Sequence, residues 1–100
     1  MEELFLKPQD VACMKISAIA SRGTRRDFVD LFMASQQHGL ATLLELFKAT
    51  FAQVNYSIIH ILKSLTYFDD AEQDPLPDML VPFAWEETKQ FFESEVPRLI

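Results

Sequence analysis

Residues 8–32 read PQDVACMKISAIASRGTRRDFVDLF, and this stretch predicts two helices joined by a tight turn. Apolar residues recur three or four positions apart on both sides of Gly23, which is the spacing of a buried helix face. The first helix begins between Pro8 and Asp10, and Gly23 ends it. Thr24 can cap the second helix, with Asp27 as its acidic first-turn partner. The break at Gly23 therefore allows the two helices to fold back on each other.

A third helix follows Gly39 and has the clearest apolar face of the chain. This face consists of Leu40, Leu43, Leu44, Phe47 and Phe51. Asn55 or Ser57 can cap a fourth helix over residues 58–65. Because that segment is apolar on more than one face, we expect it to be the most central helix.

The last third of the sequence predicts a loop and a final helix. Residues 69–78 are rich in Asp and Pro and indicate a loop, with residues 79–81 as a short connector. The final helix opens near Ala84 and stops before Pro97. Its apolar stripe is Trp85, Thr88, Phe92 and Val96. The prediction is an all-α fold, about five helices in one domain over residues 1–100, with residues 4–6 as a candidate extended segment.

The composition narrows the classes of protein further. The only cysteine, Cys13, cannot form an internal disulfide, and its place in an apolar helical pattern favours a buried structural thiol. The acidic start, MEE, does not read as a signal peptide, and no apolar run is long enough to span a membrane. We therefore expect a cytoplasmic location.

Charge is distributed unevenly along the chain. No acid lies between Asp10 and Asp27, whereas four of the nine basic residues do, and we call these four the basic island: Lys15, Arg22, Arg25 and Arg26. Residues 69–95 carry nine acids against the single base Lys89. These two segments are expected to attract each other or to face water.

The basic island and the acids after it form the one chemically suggestive pattern. Lys15 and Arg22 project from one face of the first helix, and Asp27 and Asp30 share a face of the second. A basic pair could thus face an acidic pair, and such groups bind phosphates, hold a metal or take a proton. The commoner explanation is helix-end electrostatics with a surface pair between Arg26 and Asp30.

Other candidate sites are weaker. His38 and His60 have no second nitrogen or sulfur ligand at zinc spacing. The acidic segment 69–74 could bind a divalent cation, but it lacks the glycine and the ligand spacing of a calcium loop. We expect this segment to be solvated or to pair with the basic island.

The block from Asp10 to Leu31 resembles the AbiEii/AbiGii-type nucleotidyltransferase toxins. Their pattern is a lysine in a helix, an arginine about two turns later, and a basic residue followed by Asp-x-x-Asp-Leu. Residues 63–72, KSLTYFDDAE, are similar to the helix and loop that follow in a subset of that family. With Trp85 and Glu86, the resemblance covers nearly the whole chain.

The resemblance implies a polymerase-β-like nucleotidyltransferase that uses a nucleoside triphosphate and a divalent metal such as Mg²⁺. By this resemblance Lys15 would contact the triphosphate, accompanied by the nucleotide-binding Arg22 and Arg26. Asp27 and Asp30 would match the late acidic positions that support catalysis. Some members are toxins paired with an antitoxin.

One departure from the family pattern limits this expectation. The family's metal site comes from an earlier Gly-Ser motif followed by Asp-x-Asp on a sheet, and this chain has neither. It therefore resembles only the C-terminal helical portion, which we expect to bind no metal and to be inactive alone. Its partner would be a catalytic half, an antitoxin or a second copy.

Two alternatives stay open at this point. The chain could be a non-catalytic protein-interaction or dimerisation module. It could also bind nucleic acid through the basic island, although the net charge of −6 argues against that function.

Overall fold

A computed structural model describes residues 8–53, 56–73 and 82–99 of the chain. The helices in these ranges are α1 (Pro8–Arg22), α2 (Arg25–His38), α3 (Leu40–Thr50), α4 (Ile58–Ser64), α5 (Asp69–Glu72) and α6 (Pro82–Glu95), with a 3₁₀ turn at Val96–Leu99. Within the described ranges, five α-helices of at least seven residues confirm the all-α prediction, and α5 adds a single turn. The predictions for residues 4–6, Asn55 and residues 79–81 lie outside the described residues.

The turn between α1 and α2 forms as the sequence predicts. The Asp27 amide donates to the Thr24 hydroxyl at 3.1 Å, and the Thr24 amide donates to Asp27 Oδ2 at 3.3 Å. This reciprocal pair satisfies two N–H groups that a helix start otherwise leaves open. Gly23 is buried, and a Cβ there would lie 2.9 Å from Phe28 Cε2. A side chain at position 23 would therefore obstruct the close approach of the two helices.

The aromatic core is centred on Phe28 of α2. Its ring meets Phe68, Trp85 and Phe92 edge-to-face, with centroids 5.2, 5.9 and 5.7 Å away. Trp85, Thr88, Phe92 and Val96 are all buried, so the predicted stripe of the last helix is confirmed. These contacts hold α6 against the Phe28 side of α2.

The most central helix is α1, and the prediction that α4 would hold this place is wrong. Helix α1 packs against α2, α3 and α4, and it buries Cys13 and Ile16. Helix α4 has only seven residues, and it leaves Ile59 about half exposed. A segment this short can bury only one face, although its sequence is apolar on more than one.

Burial also determines the protonation of the Cys13 thiol. Cys13 is 4 % exposed, as the sequence predicts. Burial raises the pKa of the Cys13 thiol, and a hydrogen bond with Thr50 opposes this only in part. A thiol in this setting stays protonated at neutral pH and is a poor nucleophile.

No helix in the described ranges is long and apolar enough to cross a membrane.

Candidate functional site

Lys15 joins the first two helices at the surface. Its Nζ lies 3.2 Å from Asp27 Oδ1 and 3.1 Å from Asp30 Oδ2, so one ammonium group is held between two carboxylates. We call these three residues the Lys15 cluster. The fold brings them together because the turn at Gly23 sets α2 back against α1, where Asp27 and Asp30 lie one turn apart.

The three side chains of the Lys15 cluster are accessible to different degrees. Lys15 is 26 % exposed, Asp27 16 % and Asp30 39 %. Burial is the largest single effect on Lys15 and lowers its pKa, but hydrogen bonds to Asp30 and Asp27 outweigh it and raise the pKa above its ordinary value. Lys15 is therefore fully charged at neutral pH and within reach of a ligand that approaches from solvent.

Asp27 has two structural contacts at once. Its Oδ1 accepts from Lys15, and its Oδ2 accepts from the Thr24 amide in the capping box. Among the described residues, the side chain of Asp30 forms an ion pair with Lys15 alone. Asp27 is therefore fixed by the fold, whereas Asp30 is the more available carboxylate.

Arg22 and Arg26 lie near the cluster in sequence but do not join it. Both side chains are exposed, and neither forms an ion pair with a described residue. The predicted pair between Arg26 and Asp30 is not formed in the structure, because Asp30 turns to Lys15. The prediction of a basic pair facing an acidic pair therefore holds for Lys15 alone, and the two arginines remain as exposed cations.

Metal binding finds no support in this geometry. The described residues contain no group of three or more His, Cys, Asp or Glu side chains that could hold a metal ion. The two carboxylates of the Lys15 cluster already share one ammonium group. These residues do not fit a metal by themselves.

The structure also contains a second ion-pair group, which the sequence pattern did not predict. Glu72 of α5 accepts from Lys89 Nζ at 2.6 Å through Oε2 and from Trp85 Nε1 at 3.0 Å through Oε1. Arg25 donates to the same Oε1 at 3.4 Å and to the Ala71 and Glu72 carbonyl oxygens at 3.0 Å. We call Arg25, Glu72, Trp85 and Lys89 the Glu72 cluster. Both cations also lie 5.6 Å from the centroid of the Trp85 ring.

The Glu72 cluster explains two features of the charge pattern. Hydrogen bonds from Lys89 and Trp85 lower the pKa of Glu72, with burial opposing them and the charges of Lys89 and Arg25 adding to them. The predicted attraction between the basic island and the acidic segment is thus confirmed at Arg25. The loop predicted at residues 69–72 is instead one helical turn, because Ala71 is buried and Arg25 binds the two carbonyl groups at its end.

A shallow groove lies on the far side of α1 from Lys15. It has a volume of about 450 Å³ and is lined mainly by aromatic and small side chains, among them Ser17, Phe51 and Tyr56. His60 borders it and donates from Nε2 to the Ala20 carbonyl oxygen at 3.1 Å. This bond satisfies a carbonyl in the last turn of α1, so His60 is a boundary residue with a partner, as the sequence indicates.

The described residues thus define a small helical bundle in which a charged lysine, clamped by two carboxylates, lies beside a helix–helix turn. The chain belongs to the AbiEii family: the family model described as "Nucleotidyl transferase AbiEii toxin, Type IV TA system" matches residues 4–98. The match confirms the resemblance and includes every residue of the Lys15 cluster.

A relative from Aquifex aeolicus (strain VF5), "Uncharacterized protein aq_aa25", is 42 % identical to this chain over 90 residues. The match covers 88 % of this chain but only 42 % of the relative, so the chain spans less than half the length of that protein. The comparison with solved structures gave no match.

Proposed function

We propose that this chain is the helical C-terminal portion of a nucleotidyltransferase-like, toxin-type protein and supplies one wall of its nucleotide site. The observation that carries the proposal is the clamp on Lys15, formed by Asp27 and Asp30 at the positions that the family pattern marks. The membership of the chain in the AbiEii family supports the reaction class. The short span of the chain relative to its Aquifex relative supports the idea of a portion.

In this proposal the cations bind the nucleotide phosphates. Lys15 is charged and held at the surface, and Arg22 and Arg26 are exposed beside the same turn. Lysine and arginine make strong charge-assisted hydrogen bonds with phosphate oxygens. Together these three cations outnumber the two carboxylates by one, which favours an anionic ligand.

The carboxylates have separate roles. Asp27 positions Lys15 and fixes the start of α2 through the capping box. Asp30, the more exposed of the two, is the better candidate to take a proton from an attacking group. Since these residues do not fit a metal, the Mg²⁺ and its carboxylates belong to the half that carries Gly-Ser and Asp-x-Asp, and the chain transfers no nucleotide alone.

The test measures binding of a Mg²⁺–nucleoside triphosphate by calorimetry, with and without a family protein that carries the Gly-Ser/Asp-x-Asp half. We expect binding to appear or to tighten with that half and to be lost in Lys15→Ala. Lys48→Ala is the matched control, because Lys48 also forms one surface ion pair but lies on α3. Binding that is absent under all conditions, or equally weakened by both substitutions, contradicts the proposal.

A further inference from the structure

Two adjacent cavities follow the contact between α1 and α4. The larger is the groove of about 450 Å³ on the far side of α1 from Lys15, and the smaller has a volume of about 340 Å³. Ala20, Ser21 and His60 line both cavities, which therefore adjoin along the two helices. Each volume lies in the range of about 300–1,000 Å³ that is usual for small-molecule sites. We call the two cavities together the α1–α4 groove.

The larger cavity forms an aromatic end of the α1–α4 groove. Phe47, Phe51 and Tyr56 line it. The buried Phe47 ring supports the other two, with centroids 4.7 Å from Phe51 and 5.4 Å from Tyr56. Phe51 and Tyr56 are only half-buried, so both rings are open to contact from the groove. A planar ring of a ligand can pack against them edge-to-face or with an offset.

The smaller cavity forms a charged end, with one side chain of each sign. Lys63 and Asp70 line it, and neither forms an ion pair with a described residue. Lys63 is exposed and Asp70 is half-buried. In the Lys15 and Glu72 clusters the opposite charges bind each other, whereas here both charges are open to a ligand that lies between them.

The two ends together select the chemistry of the ligand. An anion would be attracted to Lys63 but repelled by Asp70, and a polyphosphate would be repelled more strongly. A zwitterion complements both charges, and the aromatic end favours a ring. We propose that the α1–α4 groove binds an aromatic α-amino acid, with its ring against Phe51 and Tyr56, its carboxylate at Lys63 and its ammonium group at Asp70.

This ligand fits the groove at neutral pH, because an α-amino acid then carries both charges. The site lies on the opposite side of α1 from the Lys15 cluster and shares no residue with it. The inference therefore goes beyond the proposed function and does not depend on it.

Calorimetric titration of the 100-residue chain with L-phenylalanine tests the site. Two analogues each lack one charge: phenethylamine has no carboxylate, and 3-phenylpropionate has no ammonium group. We expect L-phenylalanine to bind several-fold more tightly than either analogue, because each analogue leaves one charge of the groove without a partner. The gain is several-fold rather than larger, since solvent screens charges this close to the surface.

Substitutions then assign each charge of the ligand to one side chain. Lys63→Met should weaken L-phenylalanine several-fold but not phenethylamine, and Asp70→Asn should weaken L-phenylalanine but not 3-phenylpropionate. Phe51→Leu should weaken all three ligands. Lys48→Met and Asp69→Asn are the matched controls, because they remove the same charges from exposed side chains that do not line either cavity. Both controls should bind all three ligands as the wild type does.

Three outcomes overturn the inference. The first is no binding of L-phenylalanine at millimolar concentration by a chain whose Trp85 near-ultraviolet signal shows native packing. The second is equal affinity for the three ligands, which would mean that Lys63 and Asp70 do not take part. The third is tighter binding of adenosine monophosphate than of L-phenylalanine, lost in Lys63→Met, which would assign the groove to a nucleotide.

Discussion

The Lys15 cluster and the Glu72 cluster both use residues of α2, but they differ in what they hold together. Lys15 and Asp27 are 12 positions apart and join two consecutive helices across one turn. Arg25 and Glu72 are 47 positions apart, and their contact joins α2 to α5, with Trp85 and Lys89 of α6 bound to the same carboxylate. The Glu72 cluster therefore closes the chain on itself, whereas the Lys15 cluster lies on a turn that is already formed.

This difference predicts separate effects on the stability of the fold and on the proposed nucleotide binding. Trp85 of the Glu72 cluster is buried and packs edge-to-face against the rings of Phe28 and Phe68. Asp30 of the Lys15 cluster is 39 % exposed, and Lys15 is its one ion-pair partner among the described residues. Substitutions around Glu72 should thus change the free energy of unfolding, and those around Lys15 should mainly change binding.

The largest effect on the free energy of unfolding is expected at Phe28, which packs against Trp85 of the Glu72 cluster. Phe28→Ala removes the ring that meets Phe68, Trp85 and Phe92 and leaves a cavity in a fully buried site. The expected loss in free energy of unfolding is about 3–5 kcal/mol, measured by urea denaturation. Met33→Ala on the same helix is the control and should change it by less than about 0.5 kcal/mol, because Met33 is exposed.

A smaller loss in the free energy of unfolding is expected at the Gly23 turn, which brings the residues of the Lys15 cluster together. In Gly23→Ala the new Cβ would lie 2.9 Å from Phe28 Cε2 and 3.3 Å from Ile19 atoms. Relief of this crowding requires α1 and α2 to move apart, at a cost of about 1–3 kcal/mol. Urea denaturation measures it, and the double variant with Phe28→Leu should recover part of the loss. A Gly23→Ala protein as stable as the wild type would show that the turn adapts freely.

Charge removal compares the two clusters directly. Glu72→Gln keeps an acceptor for Trp85 but loses the charge that pairs with Lys89 and Arg25, and we expect a loss of about 1 kcal/mol, since these pairs are partly screened by solvent. Asp30→Asn should cost less than about 0.5 kcal/mol, because Lys15 keeps Asp27. Equal losses in the two variants would show that the two clusters contribute alike to the stability of the fold.

Sequence separation explains which parts could be predicted. The capping box of Thr24 and Asp27 and the stop at Gly23 are local, so residue type and spacing were sufficient to find them. The approach of Lys15 to Asp27 and Asp30 was also predicted from two helix faces and one short turn, but Arg22, which was predicted beside Lys15, does not join them. Arg25, in contrast, is equivalent to Arg22 and Arg26 in the sequence, and only the packing of α5 against α2 selects it for Glu72.

The prediction that α4 is the most central helix was wrong for a related reason. An apolar pattern reports how much surface a helix can bury, but the length of the helix and its neighbours decide how much it does bury. Helix α4 ends after seven residues at Ser64, and Ile59 is left half exposed. The longer α1, which packs against α2, α3 and α4, takes the central place.

The smallest effect is a difference in pH dependence between the clusters. The pKa of Glu72 is lowered from 4.5 by its hydrogen bonds to Lys89 and Trp85, so its contribution to stability is complete above that value and is lost as the pH falls through the lowered pKa. The pKa of Lys15 is raised above 10.5, so its contribution is complete below that value and is lost as the pH rises through the raised pKa. Lys89 has a raised pKa as well, through Glu72, so both clusters weaken at alkaline pH.

The Glu72 carboxylate is therefore tested at acid pH and the Lys15 ammonium group at alkaline pH. The stability difference between wild type and Glu72→Gln should be constant from pH 6 to 8 and shrink below about pH 4.5. The difference between wild type and Lys15→Met should be constant from pH 6 to 8 and decrease above about pH 10.5. Urea denaturation at each pH measures both. If the Glu72→Gln difference persisted undiminished at pH 3, the Glu72 carboxylate would stabilise the fold by its shape and its hydrogen bond to Trp85, and not by its charge.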